Sequence, residues 1–180
     1  MKRVVTAIGP DGRSHIVSDS APGRVMRLAK LPGLEFAEIW ATDETPDLST
    51  PGVDILESME SLVPGETGTR FRIVTLPPDR EIAQALSRPE DAWEILTEFR
   101  HKAPGIATAG ELNDPAMHAT TTLDYGVILS GEVTLEMDSG ELIEMLAGDC
   151  IVQQGAKHAW RNLSDSPCVI AFVMIGVAGA

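Results

Sequence analysis

Of the four histidines in this chain, at positions 15, 101, 118 and 158, two keep company that could do chemistry. His118 opens the run His118-Ala119-Thr120, with Asp124 six residues further on. His158 is followed by Trp160 and Asn162 at alternate positions, so a strand there would put all three on one face. Imidazole exchanges its proton near neutral pH and, when neutral, is a ligand for divalent transition ions. Two histidines with one carboxylate form the facial set that suits iron(II) and leaves coordination positions open. Without a metal, the same groups give a base with a carboxylate to orient it. A third reading is purely structural, in which the polar groups satisfy one another's hydrogen bonds. Sharing an ion carries a geometric condition. Six residues of straight strand span about 20 Å at ~3.3 Å each, so the chain must bend between His118 and Asp124. His15 flanks a turn, and His101 ends a helical stretch where a cation suits the carbonyl end of the dipole, so both have ordinary roles.

The elements that must position these residues are mostly strands. Short apolar runs at Val127–Leu129, Val133–Met137, Leu142–Leu146 and Cys150–Val152 alternate with Gly-bearing turns, the pattern of an antiparallel sandwich or closed barrel. Asp138-Ser139-Gly140 is the clearest hairpin turn, and Gly131 and Gly148 also read as turns. Cys168–Ile175 is an unbroken apolar run expected to be a central strand buried on both faces. Towards the N-terminus, Lys2–Ile8 and Ser14–Ser18 flank a Gly-Pro-Asp-Gly turn and predict a hairpin. Leu34–Thr42 and Thr69–Leu76 read as strands, and residues 43–54 as a loop. In Thr69–Leu76, Phe71 and Ile73 are expected inside, with the arginines outside in salt bridges. In the opposite phase, Arg72 would point into the barrel towards an anionic ligand group. Two helical segments follow Pro77-Pro78: residues 79–86, then one opened by a Ser87…Glu90 capping box, with Ala92, Trp93, Leu96 and Phe99 as the buried stripe. That insertion could cover one mouth of the barrel or simply pack. Residues 106–116 lead back into the barrel as a loop.

Two motifs now support a family resemblance. The cupins carry His-x-His, three or four residues, Glu, six residues, Gly; here those places hold His118, Thr120, Asp124 and Gly131. Their second motif runs from a Gly-Asp turn through Pro-x-Gly to His and Asn. Here it reads Gly148-Asp149, Gln153-Gln154-Gly155, His158 and Asn162. The chain therefore resembles a small single-domain cupin. That implies an all-β, antiparallel jelly-roll barrel with a helical insertion before the first motif: residues 1–76 as N-terminal strands, 79–103 as the insertion and 106–176 as the conserved barrel. The resemblance further implies a divalent transition ion (Fe, Mn, Zn or Ni) on His118, Asp124 and His158, although Thr120 stands in place of a ligand histidine and Asp124 in place of the longer glutamate. A metal-free pocket is the alternative. In either case His118, Asp124 and His158 are the catalytic candidates, with Thr120, Trp160 and Arg72 around the ligand. Cupin chemistry of the dioxygenase, isomerase, decarboxylase or cyclase kind is implied, or else a non-catalytic role in binding a small ligand. Pairing through outer strands predicts a homodimer.

Composition narrows the partners. Its 180 residues suit one domain. A net charge of −13 disfavours nucleic acid, which needs clustered Lys and Arg. No apolar run approaches the length of a membrane span, and the basic start lacks a cleavage pattern, so a cytoplasmic location is expected. Cys150 and Cys168 lie in apolar strand patterns and read as small buried hydrophobes, not a disulfide.

Overall fold

The computed structural model describes residues 1–48, 53–110 and 114–178. Eleven strands and three short helices follow in order among them: β1 (Arg3–Ile8), β2 (Ser14–Ser20), β3 (Arg24–Leu28), β4 (Leu31–Thr42), β5 (Thr69–Leu76), α1 (Asp79–Ala85), α2 (Pro89–Lys102), α3 (Ile106–Ala109), β6 (Thr122–Ser130), β7 (Glu132–Met137), β8 (Leu142–Leu146), β9 (Cys150–Gln154), β10 (His158–Arg161) and β11 (Cys168–Gly176). All the strand pairs are antiparallel. A six-stranded sheet runs β3-β4-β5-β11-β6-β9, a three-stranded sheet runs β10-β7-β8, and the hairpin β1-β2 stands apart. The expected all-β jelly-roll with a helical insertion is the observed fold. No helix among the described residues is long and apolar enough to cross a membrane.

Two apolar cores divide the work. Ile128, Val133, Leu135, Met145, Cys168 and Ile170 pack between the two sheets. Met26, Leu28, Leu31, Phe36, Leu56, Leu62, Val74 and Ile95 pack between the large sheet and the insertion. Each fully buried side chain of this kind contributes about 1.5–3 kcal/mol, so the cores hold the barrel without help from its polar interior. Leu76 and Phe172 touch both cores and mark the seam between them.

Several local expectations are corrected. The phase of β5 is reversed: Arg70 and Arg72 are buried and Phe71 faces out. The register explains why, since Glu38 of β4 lies directly opposite Arg72 and gives the guanidinium an internal partner. Strand β3, with its two arginines, has no counterpart among the expected elements. The helix α2 begins at an uncapped Arg88, not in a Ser87 capping box; the Ser87 hydroxyl donates to the Gln84 carbonyl instead. Its buried face is Asp91 and Ile95, and Trp93 is 70% exposed. Asp91 can turn inward because Lys30 and Arg88 both pair with it. Strand β11 is central, but only one face is fully buried, Val173 being exposed on the other. Cys168 is buried as expected, whereas Cys150 is exposed because β9 is an edge strand. Residues 106–109 form the helix α3 within the expected loop, and parts of the loops at 43–54 and 106–116 lie outside the described residues.

Candidate functional site

Thr121 is where the chain bends, separating His118 from β6. His118 therefore belongs to a different segment from Asp124, and it reaches His158 by an isolated antiparallel bridge. The two residues exchange both backbone hydrogen bonds, each 2.9 Å, so their side chains fall on the same side. The ring centroids are 4.5 Å apart.

Each ring is held in the same way. His118 Nδ1 lies 2.8 Å from the Ala116 carbonyl and His158 Nδ1 lies 2.8 Å from the Ala156 carbonyl. A carbonyl has no proton to give, so both Nδ1 atoms donate, and in the neutral rings both Nε2 atoms carry a lone pair. His158 is 3% exposed, and this burial, with the neighbouring His118 assisting, pushes its pKa down to about 4 against the opposing Ala156 hydrogen bond. At neutral pH it is an uncharged acceptor.

Both histidines line a cavity of about 210 Å³ at the seam between the cores. Phe36, Val74, Trp160, Phe172 and Met174 form much of its wall, and the insertion contributes Ile82, Phe99 and Ile106. The helices thus cover the barrel's mouth. Trp160 meets Phe172 edge-on with centroids 5.6 Å apart, and His158 meets Trp160 likewise at 5.9 Å. Phe172 has room because Gly126 lies opposite it: a Cβ there would come within 2.8 Å of Ile151 and 3.0 Å of the Phe172 ring.

The remaining predicted residues are brought to the same cavity, in different roles. Thr120 lines it, and its hydroxyl is 2.8 Å from that of Thr122, which hydrogen-bonds Asp124. Burial raises the Asp124 carboxyl pKa, opposed by Thr122, Arg72 and His118. Arg72 lines the cavity but is committed. Its Nε is 3.1 Å from Glu38 Oε1, and its Nη2 donates to both Glu38 and the Leu62 carbonyl. Burial pushes the Glu38 carboxyl up and the Arg72 guanidinium down, each held back by the other's charge. Asn162 does not join the site. It ends β10 as a latch: its side-chain amide donates to the Leu76 and Ser166 carbonyls, its backbone N–H donates to Asp79 Oδ1, and its carbonyl accepts from the Asp79 backbone N–H.

Among the described residues, no group of three or more His, Cys, Asp and Glu side chains is placed to hold a metal ion. Two Nε2 lone pairs are suitable donors for a transition ion, but the His118, Asp124 and His158 ligand set implied by the resemblance is not assembled. Glu38, Gln153, Asp114 and Arg161 were missed in the sequence. Arg161 pairs with Asp114 and, at 2.6 Å, with Glu136, tying the segment before His118 to β7 and β10. These carboxylates hold its guanidinium well above the usual value. Only the strand register could have singled out Glu38 and Gln153.

Residues 107–175 match the family model described as a cupin domain. Over this stretch the chain is similar to a cupin domain. The chain is 52% identical over 83 residues to phomopsin biosynthesis cluster protein C' of Diaporthe leptostromiformis, covering 39% of this chain and 44% of that protein. It is 44% identical over 48 residues to the cupin-domain-containing oxidoreductase virC of Hypocrea virens, covering 27% of this chain and 25% of that one. The chain thus spans less than half the length of these curated relatives. Among solved structures, the cupin domain of Cnp3 from Schizosaccharomyces pombe aligns over 97% of this chain and 87% of its own, with a TM-score of 0.46 and 9% identity.

Proposed function

We propose that this cavity is the active site of a small-molecule enzyme of the cupin kind that moves protons on a small, flat, largely apolar substrate. The observation that carries the reading is the pair of bare Nε2 atoms held at the cavity by Nδ1 hydrogen bonds to Ala116 and Ala156. The aromatic wall supplies apolar contact and selects a flat molecule. The half-buried His118 acts as the base, accepting a substrate proton at Nε2. The electron pair left behind delocalises into an adjacent carbonyl, and the proton returns to another atom of the substrate, so the step is redox-neutral. His158, neutral at working pH, accepts a hydrogen bond and orients the substrate beside its partner. Asp124, close enough for its charge to act on His118, favours the imidazolium that forms. The oxidoreductase and biosynthesis-cluster names of the relatives support an enzymatic role in small-molecule metabolism. Because the ligand set stops at two imidazoles, no step here is routed through a metal ion.

Proton transfer can be measured without the natural substrate. With 2-tetralone in deuterium oxide, the protein is expected to accelerate exchange of the α-protons well beyond an equal concentration of imidazole. His118→Ala should lower that rate about 10²-fold or more while circular dichroism is unchanged. A rate no greater than imidazole's defeats the proposal.

Self-association through the outer face of the large sheet is also proposed. Across β5, β11, β6 and β9 the register aligns Phe71, Val173, Tyr125 and Val152 in one row, and Ile73, Ala171, Val127 and Cys150 in the next. None of the eight is charged. Two copies that each carry a net charge of −13 repel except over a face of this kind, and a second copy is its natural cover.

A further inference from the structure

Among the described residues, two buried polar atoms on the cavity wall have no partner. Asp124 Oδ1 and Gln153 Nε2 make no hydrogen bond, although their residues are 7% and 5% exposed and both line the cavity. They are not scattered: Asp124 of β6 and Gln153 of β9 are directly opposite one another in the antiparallel register. Residues so placed have Cβ atoms about 5 Å apart, which lets the two side-chain ends address neighbouring atoms of one molecule. Leaving a buried donor and a buried acceptor unpaired costs about 1–3 kcal/mol each, a cost that folded proteins seldom carry without a use.

The other unpartnered atoms differ in kind. Glu38 Oε1 and Arg72 Nε face each other in an ion pair, and Arg3 Nε lies away from this cavity. What remains at the polar end is one acceptor beside one donor. We infer that Asp124 and Gln153 together read a neutral ligand edge carrying an N–H beside a C=O, as in a cyclic secondary amide, with the N–H donated to Asp124 Oδ1 and the carbonyl accepting from Gln153 Nε2. A carboxylate ligand is disfavoured, since it would face the Asp124 carboxylate while the nearby guanidinium of Arg72 is committed to Glu38. An open-chain amide is disfavoured too: it is trans and presents its N–H and C=O on opposite edges, whereas a lactam ring holds both on one. The aromatic wall of Trp160, Phe172 and Phe36 would pack on the rest of that ring system.

This inference rests on the cavity being a small-molecule site, and the test separates the two. Three bicyclic probes of nearly equal size are titrated into the intact protein by calorimetry: 3,4-dihydroisoquinolin-1(2H)-one, its N-methyl derivative and 1-tetralone. The lactam is expected to bind about tenfold or more tightly than either of the others. Asp124→Leu, which removes the acceptor of the N–H, should abolish that preference while keeping 1-tetralone affinity, which also shows that the variant is folded. Gln153→Glu, which replaces the donor to the carbonyl with an acceptor, should weaken binding of all three probes. Equal affinities for the lactam and its N-methyl derivative, or a preference that survives in Asp124→Leu, would overturn the inference and leave the cavity reading intact. If no probe binds, both fall.

Discussion

At the scale of single residues, the site depends on which imidazole nitrogen holds the proton. The clue was present in the chain as a repeated Ala-x-His, at Ala116-Met117-His118 and at Ala156-Lys157-His158. In both copies the ring folds back on the carbonyl two residues before it. The resemblance implied that His118 and His158 converge; what the sequence did not reveal is the route, a bridge between them formed after the chain turns at Thr121. Burial of His158 has a measurable consequence. Its pKa is about 4 in the folded protein against an ordinary 6.5, so between these values the unfolded chain binds more protons. Stability should therefore fall as pH drops from 6.5 to 4, by about 3 kcal/mol from this residue. Urea denaturation at steps across that window should show the slope, and His158→Gln should flatten it. An unchanged slope in the variant would assign the acid sensitivity elsewhere. Asp124 contributes with the opposite sign: its raised carboxyl pKa makes the ionised form costly above the ordinary carboxylate range, and acid relieves that cost.

At the scale of elements, the strands of the conserved barrel were legible and the phase of β5 was not. Alternating apolar and polar residues show that Thr69–Leu76 is a strand, but an Arg-x-Arg pattern fits either face until the partner strand is known. Glu38 decides it, being 1% exposed and opposite Arg72, itself 2% exposed. The buried face of α2 departs from the expected stripe for a similar reason: Asp91 turns inward on Lys30 and Arg88, and Trp93 faces solvent. The Glu38–Arg72 pair supports a prediction about role. If the guanidinium is structural, Arg72→Met should cost about 3–5 kcal/mol by leaving a buried carboxylate alone, and adding Glu38→Leu should recover most of it. Thermal unfolding of the two variants tests this. A loss below about 1 kcal/mol in Arg72→Met would instead free the residue for a ligand's charge.

At the scale of the whole molecule, the cavity lies where two cores meet. Phe172 belongs to both, and the helical insertion lines the cavity with Ile82, Phe99 and Ile106. The apolar cores carry the fold, so the polar end is free to hold unpaired groups. On the outside, the uncharged rows across β5, β11, β6 and β9 predict a dimer. Light scattering at micromolar concentration should give twice the 19.3 kDa chain mass, and Val173→Glu with Tyr125→Lys should return the single-chain value. A wild-type mass of one chain would contradict the predicted interface. The chemistry proposed for the cavity depends on two neighbouring imidazoles that present bare Nε2 atoms to it. Long-range proton–nitrogen correlation spectra of the histidine rings, assigned with His118→Gln and His158→Gln, test it directly. At pH 8 both rings should show a protonated Nδ1 and an unprotonated Nε2, and His158 should remain neutral on acidification to pH 5. A protonated Nε2 on either neutral ring, or His158 titrating at its ordinary 6.5, would contradict the account.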